Sequence, residues 1–542
     1  MVQVHYEIES KQLDELDYDI FFHNIIRLND EEFYEKPGKQ HYRLLSYLST
    51  LFNNVNILDI GSNMGRSALA LSYNKTNKIH SFDIVDNVDN VEQNIKQIDN
   101  INFHIDDLFN YEKREKWIPL ILSCPFIFLD ADTHNGNMEY SFYLFLKEIG
   151  YNGFLICDDI WYFKEMRDNF WYKICDYEKY DLTNIGHWSG TGIITFDTNI
   201  SFKHYDNSDW TLVTAYFNLT KCPDASKEIK ERDQNYYINH SISTLSLPYN
   251  LVIYCDSESY ERIKDIRPEY LDSKTKYHIC EFDDLQFSKE NIKLQESFKD
   301  YRNKIISNRN KNPYYFDNRN TASYYLFCMS RYLMLKETIK ENPFQSTHFC
   351  WINFCIERMG YKNVIQLSEV LSVKRDKFST CYIDYIPPEL VSNTPEYYQW
   401  GRCGMCSGFF TGNSYYMYKV CDLIENKFLE YLEKGYGHAD EQLYSPVYFE
   451  NPELFKHYYG DYQEMITNYV YIYDRPEPPI YNFITRSFEH KNYLKCYEAC
   501  QFVLKSFYLG KCNINNDYLN AINSFNNSSK DFLINNFSES KN

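Results

Sequence analysis

Leu58-Asp59-Ile60-Gly61-Ser62-Asn63-Met64-Gly65-Arg66-Ser67 is the stretch on which the reading of this chain turns. The apolar run Asn56 to Ile60 has the length of a buried strand, and a helix opens after Gly65. A tight strand-to-helix turn needs small residues so that a ligand can come up to the backbone. Outward from it, short apolar runs recur at Lys78–Asp83, Ile101–Ile105, Phe126–Asp130, Gly153–Cys157 and Thr191–Phe196, with longer amphipathic stretches between them. That alternation predicts an α/β fold with a doubly wound parallel sheet. Several runs end in an acid, and ligands of such sheets sit at the carboxyl ends of the strands. Residues 1–45 are polar and acidic and read as helical approach segments.

A second unit starts afresh further on. Residues 197–209 are polar, lack periodicity and read as a linker. Trp210–Phe217, Asn250–Cys255 and His348–Asn353 read as strands, and Ala322–Glu341 has helical spacing. From about Thr485 the chain reads as helical, with Tyr493, Leu494, Tyr497, Cys500 and Val503 in phase, and the last dozen residues, rich in Asn and Ser, are expected to fray. The expected domains are 1–200, 210–484 and a helical extension at 485–542.

Composition narrows the function. A chain of 542 residues has a prior of three to four units. The net charge of −20 argues against nucleic acid as the main partner, since phosphate binding needs a basic surface. Aromatics reach 18%, with 52 Tyr, too many to belong to a site, so they read as codon bias of an AT-rich genome. No apolar run approaches membrane-spanning length, and the acidic N-terminus lacks the apolar core of a signal peptide. The 16 cysteines read as reduced thiols of a cytoplasmic protein, in the host cytoplasm if the source is a virus. Cys403-Gly404-Met405-Cys406 has no second pair at zinc spacing. A homo-oligomer is left open.

The glycine turn comes with Asp83 about twenty residues on, where a carboxylate can hold two ribose hydroxyls, and with Asp106-Asp107 after the third strand, placed to meet an adenine amine. The pattern resembles class I S-adenosylmethionine-dependent methyltransferases. The resemblance implies that Asp59, Gly61, Ser62 and Gly65 line the methionine end, that Asp83 holds the ribose and that Asp106 or Asp107 sits near adenine. A dinucleotide-binding unit is the alternative, but Gly61-x-x-x-Gly65 departs from its glycine spacing.

A sharper signal lies in Asp130-Ala131-Asp132 and Asp158-Asp159, at the ends of the fourth and fifth runs. Four carboxylates there repel one another unless a cation joins them, and an oxygen-rich set suits Mg²⁺. The bland reading is a set of solvated strand caps with no metal. The pattern is similar to the metal-dependent O-methyltransferases of the catechol and macrocin-like sugar types. That similarity implies Mg²⁺ (or Mn²⁺) on Asp130, Asp158 and Asp159, with Asp132 as general base. Asp159 stands where the catechol type has Asn, which leans towards a sugar substrate. His187 and Trp188 could close the site, whereas His134 reads as a loop histidine.

Residues 210–480 resemble the HtrL/YibB-like group of bacterial proteins, read as glycosyltransferases, on Thr211–Tyr216, Pro248–Asp256, His348–Asn353, Ser407–Gly412, His438–Gln442 and Tyr458–Tyr462 with Asn468-Tyr469. A GT-A fold is implied, with residues 211–216 meeting the nucleotide. Asn353 stands where that group has Asp, and no D-x-D follows, so a metal at Asn353 is in question. His457-x-x-Gly460 is faintly similar to the metal-binding H-x-x-G of glycosyltransferase family 8, which makes His457 a candidate ligand beside Asn353. Asp440 and Glu441 are the candidate catalytic acids, and Ser407 to Asn413 reads as a small-residue loop that holds an acceptor sugar. The bland readings are a helix N-terminal acid pair for Asp440-Glu441 and a packed core histidine for His457.

Together these readings describe a bifunctional enzyme of glycan biosynthesis. It would O-methylate a sugar hydroxyl with S-adenosyl-L-methionine and Mg²⁺, and transfer a sugar from a nucleotide-sugar donor to a saccharide acceptor. Two alternatives are a methyltransferase carrying a non-catalytic glycan-binding domain, which Asn353 favours, and a structural protein with both sites vestigial.

Overall fold

The computed structural model describes residues 4–8, 10–21, 39–85, 93–131, 134–174, 176–177, 179–183, 185–187, 189–197, 200–203, 209–285, 298–311, 321–359, 367–399, 403–436, 440–473, 476 and 478–539. The chain forms two compact units, Met1–Asp206 and Asn207–Asn542. Among the described residues no helix is long and apolar enough to cross a membrane.

The first unit contains β1 (Val4–Glu7), β2 (Asn56–Ile60), β3 (Lys78–Asp83), β4 (Ile101–Ile105), β5 (Phe126–Leu129), β6 (Phe154–Cys157), β7 (Lys179–Asp181), β8 (Gly192–Thr195) and β9 (Ile200–Lys203). Seven of them form one sheet in the order β4-β3-β2-β5-β6-β8-β7. The first five in that order are parallel, and β8 and β7 each run antiparallel to their neighbour. The expected all-parallel sheet is thus closed at one edge by an antiparallel pair. Only a chain with apolar residues on both faces makes such central strands, and β5, β6 and β8 are buried along their whole length.

Two short strands overturn the linker and approach-segment expectations in part, for β1 pairs in parallel with β9. Neither strand has a pattern of its own, since each depends on a partner almost 200 residues away. The three-residue β7, which pairs with the nearby β8, is too short to carry a pattern of its own.

The second unit contains β10 (Trp210–Tyr216), β11 (Asn250–Cys255), β12 (Thr275–Ile279), β13 (His348–Ile352), β14 (Phe378–Tyr382), β15 (Met405–Asn413) and β16 (Phe455–Tyr459). Their order is β12-β11-β10-β13-β15-β14-β16. β15 is antiparallel to both neighbours, and the other pairings are parallel. The small-residue loop expected at Ser407 to Asn413 is instead most of β15, a buried strand. Gly408 is small for a packing reason: a Cβ there would lie 2.8 Å from Asn353 Nδ2 and 2.9 Å from Met465 Sδ.

The long helix Ala322–Glu341 begins and ends where its spacing predicted, capped by Thr321, whose hydroxyl accepts from Tyr324 N, and stopped by left-handed Asn342. The C-terminal helices Pro478–Glu489, Tyr493–Tyr508 and Asn516–Glu539 bury Phe483, Cys500, Val503 and Ile522 in the same core as the second sheet. The last of them stays helical through most of the dozen residues expected to fray.

Candidate functional site

Register places the first site. Ile60 lies opposite Phe82 on one side and Leu129 on the other, and Leu129 lies opposite Cys157. One residue further on, Asp83, Gly61, Asp130 and Asp158 share a row at the carboxyl edge. Backbone bonds continue that row: Gly61 N donates to Phe82 O (2.9 Å), Asp130 N to Ile60 O (2.9 Å) and Asp158 N to Leu129 O (3.1 Å). After β2 the chain runs outward through β3 and β4, then returns on the other side of β2 as β5. The order therefore reverses at β2/β5, where open α/β sheets leave a crevice.

Gly61 has φ +101°, and a Cβ built on it would lie 1.7 Å from the Asp130 carbonyl oxygen. The glycine therefore serves the close approach of two strand ends, rather than the approach of a ligand alone. Gly65, with φ +82°, opens the helix Arg66–Leu71. The Asp83 carboxylate accepts from Asn63 N (3.0 Å) and Val85 N (3.3 Å), which ties the loop after β2 to the end of β3.

Asp106 and Asp107 have different surroundings. Trp117 Nε1 donates to Asp106 (2.9 Å), and Lys116 Nζ lies 2.6 Å from it. Asp107 accepts from the backbone of Phe109 and Asn110 and shapes its own turn. Asp59 is fully buried beneath the row; its Oδ2 accepts from Ser81 (2.5 Å), whose hydroxyl also meets Ser62 (2.7 Å). Asp59 and Ser62 thus brace the turn from below.

Burial pushes the Asp59 carboxyl up to about 7. The folded state then holds a proton between about pH 4 and 7 that the unfolded chain has released, so stability falls as pH rises through that window. The slope has a ceiling of about 1.4 kcal/mol per pH unit for a single group. Asp59→Asn is expected to remove it. Melting curves of wild type and variant from pH 4.5 to 7.5 should therefore draw together as pH falls, with wild type losing more stability on the way up. Parallel curves would contradict this.

The acids on β5 and β6 divide into two clusters, which the sequence did not foresee. Asp130, His134 and Asp159 bring one ligand atom each to within 4.8 Å of one another. His134, expected as a loop histidine, has φ +40°, stacks on Phe163 with centroids 4.7 Å apart, and sets Nδ1 3.3 Å from Asp159 Oδ2. Asp158 turns the other way and joins His41 and His187. His187 Nδ1 is 3.0 Å from Asp158 Oδ2 and 2.5 Å from Ser189 Oγ; His41 Nδ1 lies 4.0 Å from the same Asp158 oxygen. Gly190 holds this corner together: at φ +119° it lets Ile160, Trp161 and Tyr162 donate to residues 189–190.

The electrostatics differ accordingly. Burial would raise the Asp158 carboxyl, but His41 and His187 outweigh it and hold it below the ordinary range. Burial and then the charge of Asp158 push Asp159 up, and burial pushes His41 down to about 4. A divalent ion on Asp130 and Asp159 would relieve the crowding that raises Asp159, so the donor set fits one. Asp132 and Trp188 lie outside the described residues.

In the second unit β10 and β13 are neighbours at the point where the strand order reverses, and Val213 lies opposite Trp351. A cavity of about 620 Å³ opens at their carboxyl ends, lined by Ala215, Tyr216, Asn353, Ser407, Asp440 and Glu441 among others. Trp351 Nε1 donates to Asn353 Oδ1 (3.2 Å). Asp440 stands just before the helix Glu441–Glu450, and its side chain makes no capping bond to it. Its carboxylate accepts from Tyr332 (3.1 Å) and pairs with the buried Arg331 (3.3 Å), which also donates to Ser407 O (2.6 Å). Glu441 accepts from Ser407 N (3.0 Å) and Tyr462 (2.6 Å), and burial pushes its carboxyl up.

His457 does not join this cavity, which corrects its expected pairing with Asn353. It lies on β16, three strands from β13 in the order β13-β15-β14-β16, or about 14 Å at ~4.8 Å per strand. Its ring sits among Tyr382, Tyr448 and Phe455. Cys403 and Cys406 are free thiols, as is every other described cysteine, and no described metal-competent cluster contains a cysteine. His438 lies outside the described residues.

Residues 208–469 match the family described as a bacterial protein of unknown function (HtrL_YibB), in line with the resemblance read over 210–480. A search of curated proteins finds no match. Among solved structures, a methyltransferase of Podospora anserina with bound SAH is 16% identical over 31% of this chain and 82% of its own, with a TM-score of 0.25. Mouse xyloside xylosyltransferase 1 in its apo form is 12% identical over 46% of this chain and 84% of its own, with a TM-score of 0.24.

Proposed function

We propose that this chain is a two-domain transferase of glycan synthesis. Its first unit would methylate a saccharide hydroxyl from S-adenosylmethionine, and its second would move a sugar from a nucleotide donor. The observation that carries the reading is the convergence of Asp130, His134 and Asp159 one strand position from the Gly61 turn. It supports a divalent ion and a methyl donor held side by side in one crevice.

Asp130, His134 and Asp159 would hold the ion, and the imidazole in the set favours Mn²⁺ over Mg²⁺. When bound, the ion supplies positive charge that lowers the pKa of a coordinated hydroxyl. Asp83 would orient the donor's ribose and Asp106 its adenine, with Asp59, Gly61, Ser62 and Gly65 building the turn beneath the methionine end. Asp132 is proposed as the base that takes the hydroxyl proton. Asp158 would fix His187 as a wall of the acceptor site. In the second unit, Asp440 and Glu441 are proposed to face the acceptor.

The test is to incubate the full-length protein with methyl-labelled S-adenosylmethionine and a panel of saccharides and sugar nucleotides, in Mg²⁺, Mn²⁺ or EDTA. Cation-dependent label in a saccharide is the expected result. Label in no saccharide under any condition would overturn the methylation half. Asn353 favours a second reading of the other unit, as a glycan-binding module without catalysis. Release of sugar from any nucleotide sugar by the wild type would count against that module.

A further inference from the structure

Resting on the transferase reading of the second unit, we propose that its cavity takes the diphosphate of a nucleotide sugar on Arg232 and Arg358, without a divalent cation. The two arginines reach the cavity from different elements. Arg232 ends the helix Lys227–Glu231, and Arg358 sits on the 3₁₀ helix Ile356–Met359, which follows β13 and Asn353. Their guanidinium carbons lie 5.8 and 5.1 Å from the centre of one ring, Tyr236, and Arg358 is 5.7 Å from Tyr237.

Among the described residues neither guanidinium has an ion pair or a side-chain hydrogen bond. Two like charges thus stand at one aromatic ring with their N–H donors open to an anion, Arg358 exposed and Arg232 half-buried. The cavity's third arginine, Arg331, differs: it is buried and already paired with Asp440 and Ser407. Glu441 is likewise occupied, by Ser407 and Tyr462. Glu228 shares the rim with Arg232.

The charge balance points the same way. A sugar nucleotide brings a diphosphate whose negative charge grows as the sugar leaves. A cation bound there needs an acid to anchor it, and the residue at the end of β13 is the neutral Asn353, whose Oδ1 already accepts from Trp351. His457, the other candidate anchor, is on a distant strand. The positive charge must then come from the chain, and planar guanidiniums bind phosphate oxygens in pairs, so Arg suits the task better than Lys. Stacking on Tyr236 holds the forks in place without consuming their N–H donors.

The experiment is calorimetric binding of UDP, GDP, CDP, ADP and inorganic pyrophosphate to the full-length protein, in EDTA and in Mn²⁺. The expected result is binding of pyrophosphate and at least one nucleotide with Kd unchanged within about twofold between the two buffers. Arg232→Ala and Arg358→Ala should each weaken it about tenfold, and Arg358→Lys less so. Thermal melts of each variant report whether it is folded. Binding that needs Mn²⁺, or that survives in the double variant, overturns the inference and leaves the transferase reading standing. No binding of any diphosphate in either buffer overturns both.

Discussion

Asp130→Ala and Asp159→Ala are each expected to lower methyl transfer by about a thousandfold while binding of S-adenosylhomocysteine changes only a few-fold. The size follows from what a divalent ion contributes. Stabilising a forming alkoxide is worth several kcal/mol, and each ~1.4 kcal/mol is a factor of ten in rate. Removing either carboxylate leaves His134 and one acid, too few to hold an ion against water. Donor binding is expected to survive, because Asp83 and the Gly61 turn lie on the other side of the row and hold their loops by backbone bonds. His41→Ala discriminates further: His41 belongs with Asp158 and His187, so the variant should keep its Mn²⁺ affinity. Cation titrations followed by single-turnover rates would measure both quantities. If Asp159→Ala kept more than a tenth of wild-type activity, the ion would have to be held elsewhere.

Gly61→Ala is expected to destabilise the first unit by about 3 kcal/mol or more and to abolish donor binding with it. Two costs add at this position. The left-handed φ of +101° strains any residue with a Cβ, by about 1–3 kcal/mol. The Cβ also meets a backbone oxygen at 1.7 Å, far inside van der Waals contact, on a residue whose N–H is bonded to β2. Relief would require β2 and β5 to part at the very edge where the acids converge. Gly150→Ala separates the two terms. Gly150 has φ +70° with nothing within 4 Å of its Cβ position, so that variant should show the conformational cost alone. Equal melting temperatures for the two variants would show that the contact between the strand ends is soft.

The runs that became β2 to β6 were visible in the chain because buried parallel strands must be apolar on both faces, which leaves a continuous signature. The acids ending those runs were visible too, because each follows its run directly in the chain. The helix Ala322–Glu341 was bounded by its own cap and stop. What escaped was non-local. β1 and β9 exist through each other, and β15 hid its glycines as a loop because Gly408 answers to Asn353 and Met465 across the sheet.

The amino-acid order alone therefore determined that two α/β units follow one another and that one edge of the first is crowded with carboxylates. Strand propensity and burial are properties of a few neighbouring residues, and they can be read one run at a time. Which carboxylates face each other was decided only by folding. Asp158 and Asp159 are adjacent in the chain, yet the left-handed backbone of Asp159, at φ +57°, sends one towards His41 and His187 and the other towards Asp130 and His134. In the second unit His457 was removed from Asn353 by a strand order that no local pattern records, because pairing partners are chosen by the packing of the whole sheet.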